Sequence, residues 1–589
     1  MNIFGANISC QVSEYLSKAL KDISLYDDAN DILYEAFGVL AFFENQTEFE
    51  ELQSTLNSFH SIVSEPDRAE YGDFQTNCDL ANKTTLYLKD KELSPQVIIE
   101  PTCGKGNFIV ASLRNFNQIE AVFGIEIYKP YVWECKFNIV DFFLDNPNTQ
   151  RPDILIYHFN VFDFDFDKIQ KEYSDKKLLI IGNPPWVTNS QLGSMNSNNL
   201  PRKINFKKHN GIDAITGKGN FDIAEYITEM LIKVFQETTG NIALLVKNSV
   251  IKNIVYEQRR NKHKISNLEK YGIDSKKEFN VSVESSLFFL NLNSKPTFDC
   301  KEFSFYKNDM LIKQFGWFTN KFVSNIDNYT NIEQFDGKSP FVWRQGIKHD
   351  CTKVMELDKL NGHFINKLNE EVKLENELIY GFLKSSDLKN TIAPDARKFT
   401  IVTQTKIGQD TSYIKNNYPK TYDYLITHKS FFDSRKSSIY NNKPLFSIFG
   451  VGDYSFMPYK VAISGLYKTF HFTLILPQEN KPVMLDDTCY FLGFDTIEFA
   501  VYTLILLNYP KTIRLLESIT FSDAKRTFTK ETLMRVDLFS LSQCISSNEL
   551  QETLHDLNFE YSLDVSLESW SNYIKKIKPV EKKQLQLFA

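Results

Sequence analysis

Asn183, Pro184, Pro185 and Trp186 set a side-chain amide, two fixed rings and a large aromatic side by side. Each proline fixes φ and removes an N–H, and the residue before each is pushed out of the helical region. Such a turn holds the asparagine amide, its main-chain carbonyls and the indole face in one rigid, outward-facing set. A side-chain oxygen and a free carbonyl together accept two hydrogen bonds, which is what an exocyclic –NH2 offers. The adjacent aromatic can stack on a flat ring. Four residues by themselves read equally as an ordinary proline-rich turn, so the weight falls on the rest of the chain.

Three further stretches carry groups of the same kind. Glu100-Pro101-Thr102-Cys103-Gly104-Lys105-Gly106-Asn107 is a glycine-containing loop ahead of an apolar-periodic stretch. Glycine lets a ligand approach the backbone, and a helix start offers free N–H groups. The third glycine of the dinucleotide fingerprint is missing, and an acid precedes the loop, which disfavours a pyrophosphate. A carboxylate at Glu100 suits a cationic centre or an amino group instead. Glu126 follows the loop by about twenty residues, where an acid can accept from both ribose hydroxyls. Asp163, in Asn160-Val161-Phe162-Asp163-Phe164, suits an adenine edge, with a Phe covering the ring. The run Asp163-Phe164-Asp165-Phe166-Asp167 reads equally as an alternating, half-buried strand.

The elements that must position these groups are short apolar runs. Strands are expected at Val97–Ile99, Ala121–Glu126, Asp153–His158, Lys177–Gly182, Asn241–Val246 and Ser286–Leu292, alternating with helical stretches. That rhythm over residues 95–293 implies an α/β domain with a mostly parallel sheet. Such sheets bind ligands beyond the C-terminal strand ends. Glu100, Glu126, Asp163 and Asn183 all fall at such ends.

Around this domain the chain changes character. Residues 1–70 read as helices, at Ser13–Ile23, Ala29–Glu44 and Thr47–Val63, forming a cap or docking surface. The stretch Val187–Asn220 is rich in Asn, Ser and Gly. It carries Arg202, Lys203, Lys207, Lys208, His209 and Lys218 against a single acid, Asp213, and reads as a phosphate-gripping loop or a solvated insert. Residues 301–579 lose the rhythm and are expected to be mixed α+β. Polar-basic clusters recur there, at Trp343–Asp350 with Arg344 and Lys348, at Thr403–Thr411 with Lys406, at Ser434–Tyr440 with Arg435 and Lys436, and at Lys525-Arg526. Each is either a solvated loop or a surface for base edges and phosphates. The tail, residues 580–589, is basic and closes on Gln584-Leu585-Gln586-Leu587-Phe588.

Composition narrows the class. The 589 residues suggest several domains, no apolar run reaches the ~18 residues of a membrane span, and no signal segment opens the chain. The eight Cys are scattered, without a Cys-x-x-Cys pair or zinc spacing, which fits a reduced cytoplasm and no structural metal. A net charge of −7 argues against a general polyanion binder and leaves room for local basic patches.

Taken in order, Gly72-Asp73-Phe74-Gln75-Thr76, then Glu-Pro-x-x-Gly-x-Gly-x-Phe from Glu100, then Gly124-Ile125-Glu126, Asp163, Asn183-Pro184-Pro185-Trp186 and a large C-terminal region resemble the gamma-class amino-methyltransferases of bacterial restriction–modification systems. These act on adenine N6 in DNA. The motifs cover about residues 70–293; the C-terminal half matches only by position, as a target-recognition domain. The resemblance implies a Rossmann-like fold and S-adenosylmethionine as methyl donor. It implies Thr76, Glu100, Gly104 and Gly106 near the methionine part, Glu126 at the ribose and Asp163 at the adenine. It puts Asn183 and the Pro184 carbonyl on the target amine, Trp186 on the flipped base and Phe279 on its other face. Two departures stand out: the family's aromatic after Pro-Pro is more often Tyr or Phe, and Asn280 replaces a Pro that often follows the Phe279-type residue. Double-stranded DNA is the implied partner, with a separate restriction endonuclease as a possible companion. The terminal pentapeptide resembles motifs that dock replication sliding clamps. The readings left open are cytosine N4, an RNA base, a protein glutamine, a non-catalytic DNA-binding specificity subunit, and a fused endonuclease. The last lacks any convincing acidic-pair signature.

Overall fold

The strands of the first half form where apolar runs are buried on both faces. The computed structural model describes residues 2–57, 75–188, 222–306, 310–521 and 527–579. The contacts divide the chain into two units, residues 1–322 and 323–589. Besides a short N-terminal pairing of Asn2–Ile3 with Ala6–Asn7, the strands of the first half are β1 Val97–Glu100, β2 Ala121–Glu126, β3 Asp153–His158, β4 Leu178–Gly182, β5 Gly240–Lys247, β6 Ser266–Ile273, β7 Ser285–Asn291, β8 Asp299–Ser304, β9 Leu311–Phe318 and β10 Lys321–Val323. Every residue of β1 and β4 is buried, as expected for central strands covered by helices on both sides.

These strands make one sheet of ten, in the order β10-β9-β8-β6-β7-β5-β4-β1-β2-β3. β1 runs parallel to β2 and β4, β2 to β3, and β4 to β5, while β7 is antiparallel to both β5 and β6. The chain therefore winds outward from β1 towards β3 and then, from β4, the other way. The reversal lies between β1 and β4, and a crevice opens there beyond the strand ends.

The helices of this unit are α1 Cys10–Ala19, α2 Tyr26–Phe37, α3 Gln46–Asn57, α4 Cys78–Asp90, α5 Asn107–Asn115, α6 Lys129–Asp145, α7 Phe166–Glu172, α8 Ile223–Phe235, α9 Asn248–Asn261 and α10 Ser275–Phe279. The N-terminal helices belong to this unit instead of standing apart. α2 ends at Phe37, short of the expected Glu44, because Gly38 turns left-handed at φ 73°. A Cβ there would overlap the Pro152 carbonyl. The freed segment pairs with the sheet edge: Ile154 N donates to Gly38 O and Leu40 N to Ile154 O, both at 2.8 Å. Lys136 of α6 completes the join, buried with Nζ 2.8 Å from Phe42 O and 5.0 Å from the Trp133 ring centre. Burial pulls its pKa down to about 8.

Two expectations change. The Asp163–Asp167 run is a turn leading into α7 and not a strand. The domain boundary moves from residue 300 to residue 322, because β8, β9 and β10 extend the first sheet. β6 also escapes the apolar pattern. Its Glu269 and Lys270 are buried only because Lys91 (3.0 Å) and Tyr271 (2.6 Å) meet the first and Glu302 (3.1 Å) the second.

The second unit is mixed α+β, as expected. A six-stranded sheet spans Glu356–Leu360, His363–Asn366, Glu371–Val372, Ile379–Leu383, Lys398–Ile401 and Met484–Leu485. A four-stranded antiparallel sheet joins Arg344–Gln345, Tyr459–Ser464, Thr473–Ile475 and Cys489–Phe494. Helices follow, from Ile497–Asn508 to Trp570–Ile577. Gly72–Phe74, Arg202, Lys203, Lys207, Lys208, Lys525-Arg526 and Gln584–Phe588 lie outside the described residues.

Candidate active site

The crevice at the switch point is a cleft lined by residues from the ends of β1, β2 and β4. Its first half is built on β1 and β2. Glu100 ends β1, is 3% exposed, and lines the cleft with one carboxylate oxygen that meets no hydrogen-bond partner. Burial, with Cys135 and Glu126 nearby, pushes its pKa well above the usual carboxylate range, against the opposing pull of the Ile109 N–H. The loop after it bends through Gly104 (φ 50°) and Gly106 (φ 78°), the latter capping α5. Side chains do not fit at either: a Cβ at Gly104 would strike the Gln75 amide, and one at Gly106 the Cys135 sulfur.

Glu126 closes β2 and accepts from Gly104 N and Tyr128 N, both at 2.8 Å. Thr76 precedes α4 and lines the cleft, with its buried hydroxyl also unmatched. Asn107 Nδ2 fixes its carbonyl at 2.7 Å.

Asp163 departs from expectation. It is exposed and is absent from the cleft lining, which takes in Phe159, Asn160, Val161 and Phe162 instead. Asn160 accepts from Phe162 N (3.0 Å) through its side chain and from Asp163 N (3.0 Å) through its carbonyl. That tight turn aims residues 159–162 inward and Asp163 outward. The sequence signal was the Asn that starts it.

The second half of the cleft is the turn after β4. Asn183, Pro184 and Pro185 line the same space as Glu100 and Glu126. Thr102 Oγ1 donates to Asn183 O at 3.4 Å. Trp186 is pinned behind them, 5% exposed, with Nε1 donating to Leu245 O at 3.2 Å. Its own carbonyl accepts from Lys247 Nζ at 2.9 Å, and Lys247 pairs with Asp222 at 2.6 Å. Lys247 was missed in the sequence, where it is only the charged end of an apolar run. Phe279 meets Trp186 edge to face, with ring centres 4.9 Å apart. A base sandwiched between two rings needs centres about 7 Å apart, twice the ~3.5 Å carbon contact. The rings thus cover one another, and the expected slot between them is shut. Asn280 sits at φ 56°, which a proline ring forbids, so its departure from the family pattern goes with a different chain direction there.

In the second unit, three of the expected DNA contacts prove to be engaged internally. Arg435 donates to Ser447 O (2.7 Å), Phe432 O (3.1 Å) and His349 O (3.3 Å) and stacks 3.7 Å over the Tyr440 ring. Lys348 pairs with Asp350 (2.9 Å), and Arg344 lies 4.7 Å over the Tyr454 ring. Lys406 and Lys436 are exposed.

A switch-point cleft with a carboxylate-led glycine loop, a second acid at the next strand end and an amide-bearing turn beside them defines a Rossmann-like S-adenosylmethionine-dependent methyltransferase. The chain is 40% identical over 484 residues, 82% of its own length and 99% of the relative's, to the type II methyltransferase M.NspV of Nostoc sp. (strain ATCC 29411 / PCC 7524). It belongs to that family, the type II methyltransferases. It is a DNA methyltransferase of restriction–modification type, and S-adenosylmethionine is its methyl donor. No family model matches the chain. Among solved structures, it is similar to the type IIL restriction–modification enzyme MmeI in complex with DNA, with a TM-score of 0.47, 12% identity, 84% of this chain and 73% of that one. It is similar also to the type I restriction enzyme EcoKI M protein, with a TM-score of 0.26, 11% identity, 50% of this chain and 64% of that one.

The donor set fits this cofactor. The unmatched Glu100 oxygen and Thr76 hydroxyl are buried acceptors on residues that line the cleft, which suits an amino group, and Glu126 lines the same cleft with a carboxylate of the kind that suits a ribose. Among the described residues, no helix is long and apolar enough to cross a membrane.

Proposed function

We propose that this chain methylates the N6 amino group of adenine in double-stranded DNA, at one short sequence, on a base rotated out of the helix. The observation that carries this reading is that Asn183, Pro184 and Pro185 share one cleft with Glu100 and Glu126. Methyl donor and flat amine are thereby brought to a single place.

A base inside a duplex is out of reach, and extruding it costs a few kcal/mol. Stacking on an aromatic returns about 1–3 kcal/mol, here from Trp186 once Phe279 has moved aside. An aromatic amine is a poor nucleophile because its lone pair feeds the ring. The Asn183 side-chain oxygen and the Pro184 carbonyl accept its two N–H bonds and draw the nitrogen towards sp3. When bound, S-adenosylmethionine supplies an electrophilic methyl group. The residues of the turn supply alignment, which accounts for most of the acceleration in a direct displacement. Exposed Lys406 and Lys436 take phosphates, and the second unit reads the sequence. The enzyme works in the cytoplasm at the nucleoid, beside a separately encoded endonuclease. Gln584–Phe588 serves as a sliding-clamp motif; an unchanged clamp pull-down after deletion of residues 584–589 removes that part.

The test is single-molecule sequencing of DNA from cells expressing the chain. N6-methyladenine in one sequence context is expected. N4-methylcytosine would keep the mechanism and change the base, and unmodified DNA would overturn the reading. Asn183→Ala is expected to lower the transfer rate by about a hundredfold or more, with cofactor and DNA binding retained.

A further inference from the structure

Phe279 is the last residue of α10, and the residue before it faces the other half of the site. Glu278 accepts from Asn77 Nδ2 at 3.1 Å and from Tyr306 Oη at 3.1 Å, and its side chain is 8% exposed. Asn77 caps α4, accepting from Leu80 N at 2.7 Å, and directly follows Thr76, whose buried hydroxyl faces the cofactor cleft. Two neighbouring residues of one short helix thus touch opposite halves of the active site. Phe279 shuts the face of Trp186, while Glu278 holds the segment beside the methionine end of the cleft. The other anchors lie at the start of the helix. Asp274 caps its start, and Ser275 Oγ meets Ser285 Oγ at 2.6 Å.

We propose that Glu278 is a positioning residue that couples cofactor binding to the opening of the Phe279–Trp186 pair, through its bond to Asn77. When Thr76 gains a ligand, residues 76–77 settle into one position. Through Glu278, that position biases α10 towards the arrangement that frees Trp186 for the target base. The coupling lowers the cost of base insertion when a methyl donor is already in place. This rests on the proposed reading that the base stacks on Trp186.

The experiment measures DNA affinity of the full chain by filter binding, with and without S-adenosylhomocysteine, on a duplex holding the sequence that methylation mapping defines. Coupling between two sites typically changes affinity by about 5- to 150-fold. The wild-type chain is expected to bind at least about fivefold tighter with S-adenosylhomocysteine. Glu278→Ala is expected to bring that ratio within about twofold of unity. Asn77→Asp keeps an equally good helix cap but sets two carboxylates against each other, so it should lose the ratio in the same way. Adding Glu278→Gln to Asn77→Asp provides an amide that donates to the carboxylate at position 77, and the ratio should return. A ratio unaffected by Glu278→Ala, or a double variant no better than Asn77→Asp, would overturn the coupling. If the wild-type chain leaves DNA unmodified, the proposed function itself fails, and that outcome is read from the mapping before any variant is made.

Discussion

At the scale of single residues, the site is decided by what burial does to a carboxylate. Burial holds Glu100 protonated beyond the pH at which it ionises in the unfolded chain. The sign follows. Its contribution to stability is complete below the ordinary carboxylate range and is lost as pH rises through that range towards the raised folded value. Glu100→Gln removes the slope, so the variant without cofactor should melt above the wild type at neutral pH. The same change deletes the charge that meets the cofactor's amino group. It should weaken cofactor binding by about tenfold or more, roughly 1.4 kcal/mol, as calorimetry reads it. A variant that melts lower and binds equally well would show that Glu100 serves packing alone. Residue types were legible at Glu100, Glu126 and Asn183 because strand ends in a parallel sheet have little else to do with an acid or an amide. Asp163 was misjudged because charge was read without direction. A turn of three residues puts Asn160 in the cleft and Asp163 in solvent.

At the scale of elements, the turn after β4 is held by the end of β5 as well as by its prolines. Lys247 grips the Trp186 carbonyl, and Leu245 O takes the indole N–H. Lys247→Met keeps the stem and loses the grip. Because displacing a reacting group by about 1 Å can cost about a hundredfold in rate, kcat should fall by that order, while the cofactor dissociation constant stays put. A loss appearing only in the cofactor constant would place Lys247 elsewhere in the mechanism. Strands β1 to β5 could be read in advance because parallel strands buried on both faces are short runs of Val, Ile and Leu. β6 could not. Its Glu269 and Lys270 are neutralised by Lys91 and Glu302, and no local pattern announces partners that distant. Helix ends were legible only where glycine marked them, and the stop at Gly38 shows how far periodicity alone overruns.

At the scale of the whole molecule, the boundary near residue 322 has a direct consequence for fragments. A chain ending at 322 keeps β8 and β9, whereas one ending at 300 strips them and leaves the side of β6 that pairs with β8 unpaired. Exposed strand edges invite self-association. The longer fragment should stay monodisperse and bind cofactor without methylating DNA at a defined sequence, and the shorter one should aggregate. Size-exclusion chromatography decides between them. In the second unit, Arg435 and Lys436 are neighbours with opposite expectations. Lys436→Ala, like Lys406→Ala, should reduce the salt dependence of DNA binding by about 0.9 in log–log slope if each touches one phosphate. Arg435→Ala breaks three bonds to carbonyls and should lower the melting temperature without altering that slope.

Trp186 also has an optical consequence. Of the five tryptophans in the chain, it is the one in the catalytic turn, sealed by Phe279 with its N–H on a main-chain carbonyl. An indole in so dry a setting emits towards the blue, and parting from Phe279 or stacking on a nucleobase changes both the colour and the yield of that emission. The protein therefore carries a built-in dye at the spot where the proposed function puts the target base. Stopped-flow emission on the unlabelled enzyme can time the arrival of that base separately from the methyl transfer that follows.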